Sequence, residues 1–322
     1  MGHDIKTIKK KFKEQGIFYT GSKLAEYMKT FIPENVTEVY DPTCGNGSLL
    51  SVFADNVRKY GQELDEDQLY EARMRLTNFF GQAGDTLKAP AFMNHKFQAI
   101  VANPPFSIRW EPPTERDTRF SNAPTLPTAS KADYAFMLHI LFMLAEDGTA
   151  AVLNFPGVLY RGNREKQLRA WMIENNWIDK VVHIEGGYFE DTNICTAIIV
   201  FRKNRTEETV EFIDHETGQK KTVTIDEIRG NDYNLSVSSY IERETEIEET
   251  DPIELMNQIH RLFFENLRLK LQIERITSDM HGYNMEPLLI SIEKLARTMR
   301  NELKKDKDER LAAERQLKMF EA

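Results

Sequence analysis

Short runs of β-branched and aromatic residues alternate with helical segments from about Val36 to Lys203. That alternation predicts an α/β sheet. The expected strands are Glu38–Tyr40, Lys59–Glu63, Ala99–Ala102, Ala150–Phe155, Lys180–Ile184 and Thr196–Arg202, with a further short one just before Gly84. Helices are expected at Lys23–Phe31, Leu49–Asn56, Glu66–Phe80, Tyr134–Ala145 and Glu165–Asn176. Only Glu185–Cys195 joins the last two strands, too little chain for a helical crossover, so this pair should run antiparallel. The expected fold is therefore α/β, with a seven-stranded, mostly parallel sheet.

The remaining stretches break this alternation in different ways. Residues 107–132 are rich in Pro and Thr and carry Trp110, Arg116, Arg119 and Phe120. A loop of that length in a compact domain is usually a lid or a binding segment. Residues 205–250 read as a small acidic β appendage with a turn at Gly218. Asp251-Pro252-Ile253-Glu254 then has an Asp cap, Pro at the first helical position and Glu at the third, which starts a helix. It should run to about Met280 and break at His281-Gly282, with a second helix from about Pro287 to the end. Leu288, Ile292, Leu295, Met299 and Leu303 recur at spacings of three and four and give that helix one apolar stripe. The domains expected are a basic segment at 1–15, a catalytic domain at 16–204, the appendage at 205–250 and a helical hairpin for subunit assembly at 251–322.

Charge changes this picture only locally. The formal net charge is −9, yet residues 207–251 hold 14 acidic and four basic side chains, so the rest is close to neutral. Lys6, Lys9, Lys10, Lys11 and Lys13 make the start of the chain basic, but no broad basic face emerges. A binder of polyanions with this balance would be weak alone, which suggests that another subunit contributes phosphate contacts. Cys44 and Cys195 form no disulfide framework and have no metal-ligand spacing, so no metal is expected. No apolar run approaches the ~20 residues of a membrane span, and the N-terminus lacks a secretory pattern. A cytoplasmic location without a membrane partner is expected.

The candidate chemistry centres on Asn103-Pro104-Pro105-Phe106, directly after an expected strand. The exocyclic amine of adenine is a poor nucleophile because its lone pair is delocalised into the ring. Making it react requires acceptors for its two hydrogens, which stabilise the charge developing on nitrogen. The Asn103 oxygen can be one acceptor and the Pro104 carbonyl the other, held rigid by the prolines. Phe106 offers a face for an extruded base. By itself the tetrapeptide could equally be an ordinary turn. Asp41-Pro42-Thr43-Cys44-Gly45-Asn46-Gly47-Ser48, however, follows the first strand, where open α/β sheets bind cofactors. Glu63 ends the next strand, 22 residues beyond Asp41, a distance suited to a ribose hydroxyl pair. Gly84-Asp85 falls at the third strand end, where Asp85 could accept from an adenine amine. Each acid alone could be a solvated strand end; three in register with the Asn-Pro-Pro-Phe turn point to a site.

In this order of elements the chain resembles the gamma group of amino-methylating DNA methyltransferases, and within it the modification subunit of type I restriction-modification systems. The resemblance covers roughly residues 12–250. It is carried by Asn103–Ser107 with Trp110; by Arg119-Phe120 and Ala132–Phe136; by Gly157–Gly162; and by Tyr188-Phe189 through Thr192, Ile194 and Thr196. Asn231–Ser236 extends it past the sheet. It implies a Rossmann-like methyltransferase sheet that uses S-adenosyl-L-methionine to methylate N6 of adenine in double-stranded DNA. Asn103, Pro104, Pro105 and Phe106 would be catalytic. Phe18, Tyr19, Thr20, Gly21, Asp41, Thr43, Cys44, Gly45, Asn46, Gly47, Glu63 and Asp85 would bind the cofactor. The implied partners are a separate specificity subunit, a second copy of the chain and a restriction subunit.

Three features depart from the family pattern. Gly21 stands where the family has Pro, and Ile184-Glu185 where it has Leu-Pro. Only about 15 residues precede the cofactor segment, where family members carry a helical domain. Two other functions stay open: methylation of a protein glutamine amide, which uses a similar turn usually ending in Tyr, and a non-catalytic assembly subunit. Phe106 and the type I-like stretches favour DNA, and the intact glycine loop favours catalysis. His139 and His183 read as packing residues. Cys44 has no base placed to activate it, and its small size explains its position.

Overall fold

The computed structural model describes residues 21–187, 195–243 and 251–320. The expected cofactor residues Phe18, Tyr19 and Thr20 lie outside these, as do the basic N-terminal segment, Tyr188, Phe189, Thr192 and Ile194. The chain divides into two compact units, residues 1–244 and residues 245–322.

Among the described residues the first unit is built on a nine-stranded sheet, two strands more than the seven expected. Its strands are β1 (Glu38–Asp41), β2 (Arg58–Glu63), β3 (Phe79–Ala83), β4 (Phe97–Ala102), β5 (Leu144–Asn154), β6 (Ile178–Ile184), β7 (Thr196–Arg202), β8 (Thr209–Asp214) and β9 (Lys220–Thr224). They lie in the order β3-β2-β1-β4-β5-β7-β6-β8-β9. β1 to β5 are mutually parallel where they pair, and β7 runs antiparallel between β5 and β6. The short Glu185–Cys195 connection thus produces the antiparallel pair its length demands. Residues 205–243 do not form a sheet of their own. β8 pairs parallel with β6 and β9 antiparallel with β8, so this stretch continues the main sheet.

Side chains along β4 alternate between two buried clusters. Ile100 and Ala102 join one, Ala99 and Val101 the other. Opposite pointing of successive strand residues, with both faces covered, explains why this strand is apolar everywhere except at exposed Gln98. The covering helices are α1 (Ser22–Lys29), α2 (Glu66–Arg75), α3 (Asp133–Met143), α4 (Asn163–Glu174) and the short α5 (Ile225–Gly230). α3 is buried at ten of its 11 positions, which accounts for its nearly continuous apolar sequence. α2 starts where Asp65 accepts the amides of Asp67 and Gln68 at 2.9 and 3.2 Å.

Two helix expectations are corrected. Leu49–Asn56 forms only a 3₁₀ turn at Leu50–Val52, after which Phe53 becomes extended and its side chain is buried. The Asp55-Asn56 pair that follows favours a turn over a helix. α2 ends at Arg75 and not at Phe80. Leu76 is extended, Asn78 has φ +52°, and the next residues pair with β2 as the edge strand β3.

The second unit holds α6 (Pro252–His281) and α7 (Glu286–Phe320). Asp251 caps α6 by accepting the Ile253 amide at 2.9 Å. Gly282 ends it at φ +71°, in the left-handed conformation that glycine adopts without penalty. α6 buries none of its residues, and Leu288, Leu295 and Met299 on α7 are likewise exposed.

Candidate active site

The strand order reverses between β1 and β4, so the loops leaving their carboxyl ends diverge and open a crevice. A cleft of about 1070 Å³ occupies it. Asp41, Thr43, Cys44, Gly45, Asn46, Glu63, Asp85, Asn103 and Pro105 all line this cleft. Gly47, Pro104 and Phe106 adjoin the lining without forming part of it, and Gly21 stands apart as the residue capping α1.

Backbone geometry shapes the cofactor half. Gly45 and Gly47 have φ of +51° and +81°, and a Cβ on Gly47 would lie 2.7 Å from Leu76. A side chain there would be strained and would collide with the end of α2. Asp41 Oδ1 accepts the Thr43 amide at 2.9 Å, which starts the loop as an Asx turn. Glu63 Oε2 accepts the Gly45 amide at 2.8 Å, while its Oε1 takes the Asp65 amide at 3.0 Å. Asp85 Oδ1 accepts the amides of Leu87 and Lys88, and among the described residues its Oδ2 has no hydrogen bond. Burial raises the pKa of both Asp41 and Glu63. Asp41 is pushed up to about 8, with only the Thr43 bonds opposing burial strongly, and Glu63 rises against its amide partners. The Cys44 thiol is buried and held well above its ordinary value by burial and by the Asp41 charge, so it is not a thiolate nucleophile. Its sulfur sits where Gly61 has no side chain; a Cβ there would be 2.7 Å from it.

The Asn-Pro-Pro-Phe turn is fixed at its exit. Ser107 adopts φ +53°, and its amide donates to buried Asp133 Oδ1 at 2.9 Å. Arg161 reaches the same place, its Nη2 donating to Ser107 Oγ at 3.3 Å and its Nη1 lying 3.5 Å from Asp133 Oδ2. Tyr134 donates to the Val158 carbonyl at 2.7 Å. Three motif stretches distant in sequence are therefore one structural unit. Pro104 is buried, and half-buried Phe106 packs against the cluster containing α1.

The 107–132 segment folds over the cleft, and sequence reasoning gave its individual residues no role there. Ile108, Arg109, Trp110, Glu111, Ala129 and Ser130 line the cleft, together with Thr86, Leu87 and Lys88 from beyond β3. The segment closes on itself. Ala132 donates to the Ile108 carbonyl at 2.8 Å, and Trp110 donates through its amide to Ala129 and through its indole to Thr128, both at 3.0 Å. Exposed Lys88 and Glu111 pair at 2.8 Å across the mouth.

His139 is fully buried between Tyr40 and Arg119, at 3.2 and 3.3 Å, and burial aided by the guanidinium pushes its pKa down to about 3. It packs, as expected, but with both ring nitrogens engaged. His183, Glu185 and Cys195 bring ligand atoms within 4.8 Å of one another, an arrangement made by antiparallel pairing and invisible in spacing. Arg243 already pairs with Glu185 there and with Asp214, which supplies that carboxylate's counter-charge without an ion.

A family model described as N-6 DNA Methylase matches residues 6–222. The chain belongs to the N-6 DNA methylase family. It is similar to the MpnII type I restriction enzyme methylase subunit of Mycoplasma pneumoniae, with 30% identity covering 83% of this chain and 61% of that protein. The MjaVII methylase subunit of Methanocaldococcus jannaschii is 24% identical, covering 84% of this chain and 56% of its own. This family member thus spans about three fifths of the curated relatives it matches. Among solved structures, the type I methyltransferase subunit from Streptococcus thermophilus superposes with a TM-score of 0.65 at 30% identity. That match covers 70% of this chain and 59% of that one. The EcoKI M protein, at 18% identity and a TM-score of 0.51, covering 66% of this chain and 52% of its own, shares the fold. The match to residues 6–222 encloses β1 to β8, the glycine loop and the Asn-Pro-Pro-Phe turn, so the N-6 DNA methylase pattern and the cleft coincide in the chain.

Proposed function

We propose that this chain transfers a methyl group from S-adenosyl-L-methionine to N6 of adenine in double-stranded DNA, as the modification subunit of a type I-like complex. The observation that carries this is the single cleft in which acids from three successive strand ends face Asn103 and Pro105. The donor set suits the cofactor. Glu63 retains lone pairs beyond its two amide partners for ribose hydroxyls, and the free oxygen of Asp85 suits an amine hydrogen. Gly45 has nothing within 4 Å of where a Cβ would stand, which leaves room for a ligand against the backbone. Phe18, Tyr19 and Thr20 would complete this half, beside Thr43, Cys44, Asn46 and Gly47.

When bound, S-adenosylmethionine supplies an electrophilic methyl carbon on a sulfonium centre. Asn103 and the Pro104 carbonyl would accept the two hydrogens of the target amine and draw its lone pair out of conjugation. They would also stabilise the positive charge that forms on nitrogen. Pro105 stiffens the turn, the Asp133–Ser107 bond sets its exit, and Phe106 would stack on the extruded base. Alignment of amine and methyl carbon supplies much of the acceleration.

Recognition of a DNA sequence is assigned to a separate specificity subunit, with a second copy of this chain in the complex. The exposed apolar side chains of α6 and α7, among them Phe263, Phe264, Ile273 and Leu295, support this, since a helical partner would bury them. The test is mass-spectrometric detection of N6-methyladenine in DNA treated with the purified chain, with and without that subunit. Absence of N6-methyladenine with both subunits and cofactor present would overturn the proposal.

A further inference from the structure

Arg119 lies within the 107–132 segment, its side chain 2% exposed, and all five of its N–H groups are engaged. Nε donates to both oxygens of Asp117 at 3.1 Å. Nη1 donates to the Thr86 carbonyl at 2.8 Å and to His139 Nδ1 at 3.3 Å. Nη2 donates to the Leu87 carbonyl at 2.6 Å and to Asp117 Oδ2 at 2.7 Å. A guanidinium can only donate, so His139 Nδ1 accepts and the ring hydrogen sits on Nε2. From there it donates to Tyr40 Oη at 3.2 Å.

Two routes therefore lead from this one side chain to the end of β1. The first passes through His139 to Tyr40, the residue before Asp41. The second passes through Thr86, whose hydroxyl donates to the Pro42 carbonyl at 2.5 Å. Pro42, Thr86 and Leu87 all line the cleft, as does Trp110 from the segment that carries Arg119. Arg119 thus holds two adjacent backbone carbonyls of the cleft wall, those of Thr86 and Leu87, and reaches two further stretches of chain through the side chains of Asp117 and His139.

We propose that Arg119 is the positioning residue for cofactor binding, its planar fork locking the ends of β1 and β3 and the overlying segment into one frame before the ligand arrives. The inference rests on the reading of the cleft as an S-adenosylmethionine site. A preformed site spares the ordering that a loose one undergoes when it binds. Lysine keeps the charge but has no planar fork and fewer donors, so it cannot hold two adjacent carbonyls, a ring nitrogen and a carboxylate together.

The test is titration calorimetry of the full chain with S-adenosylhomocysteine, well below the melting temperature of each variant. Arg119→Lys should bind at unchanged stoichiometry with a Kd raised about tenfold or more, the scale of losing one charge-assisted hydrogen bond. Asp117→Asn, which loosens the fork without removing it, should raise Kd by a few fold, and it carries the test if Arg119→Lys does not fold. Arg205→Lys is the control for a merely structural role. Arg205 is also a buried guanidinium bracing carbonyls, those of Ile178 and Thr209, both at 2.6 Å, but it does not line the cleft. It should lower the melting temperature and leave Kd unchanged. Wild-type Kd in folded Arg119→Lys, or in Asp117→Asn where that variant carries the test, would overturn the inference. If the wild-type chain itself binds no S-adenosylhomocysteine, the assignment of the cleft fails, a result distinguishable from variants that bind as tightly as wild type.

Discussion

Glu63 Oε2 accepts the amide hydrogen of Gly45 at 2.8 Å, so the carboxylate that ends β2 holds the glycine turn that follows β1. One side chain thereby shapes the backbone cradle and presents acceptors to whatever enters it. Glu63→Ala should weaken S-adenosylmethionine binding by about 1.5–3 kcal/mol, the range for hydrogen bonds to a charged group. The chain should stay folded, because Glu63 stands at a strand terminus. Titration calorimetry checks this, and unchanged affinity would remove Glu63 from the cofactor site.

Asn103 lines the same cleft. Asn103→Ala should cut methyl transfer by roughly 10²–10³-fold, the usual effect of losing one preorganised acceptor, with cofactor affinity within a few fold of wild type. Single-turnover methylation assays read the first quantity and calorimetry the second. Transfer at wild-type rate would dismiss the acceptor role.

Asp41 should make cofactor binding pH-dependent. Burial raises its carboxyl to about 8, so the ligand-free site holds a proton at neutral pH. A cationic ligand nearby favours the ionised form. S-adenosylmethionine binding near pH 7 should therefore release close to one proton, and affinity should rise between pH 6 and 8. Calorimetry in buffers of different ionisation heat measures the release, and Asp41→Asn should abolish it. The sign for stability is the opposite. A pKa raised by folding contributes stability that is full below the ordinary carboxyl range and is lost as pH climbs through about 8. The ligand-free chain should therefore melt at lower temperature at pH 8 than at pH 6, and less so in Asp41→Asn.

The strands and the acids at their ends were legible in the sequence because both depend on local signals. Apolar runs mark β1, β4, β6 and β7, and each run ends where a polar or glycine residue leaves the sheet. β3 overlapped an expected helix because Phe79 and Phe80 fit either period, and only pairing with β2 decides between them. The roof of the cleft was legible only as a long loop suited to a lid or binding segment, and its contacts were not. Arg119 and Trp110 act through the carbonyls of Thr86, Leu87 and Thr128, contacts that no periodicity encodes. Glu185 and Cys195 were likewise unremarkable as a pair until antiparallel pairing brought their strands together.

The second unit gives the prediction for assembly. Deleting residues 284–322 removes α7 and should abolish association with a specificity subunit, while the melting of residues 1–244, which hold their own core, is retained. Co-purification and calorimetric melting read the two effects. The full chain alone should bind cofactor yet methylate DNA slowly and without sequence preference. Robust methylation at one motif by the chain alone would place recognition within this polypeptide.

The Ala132–Ile108 hydrogen bond ties the neck of the segment over the cleft, while Ser121, Asn122 and Pro124 near its tip are exposed. Length added at the tip is thus insulated from the Asn103–Phe106 turn, and doubling a flexible loop costs only ~0.6 kcal/mol. The outer rim can be lengthened or rewritten over evolution, or by design, while the chemistry beneath it keeps its register.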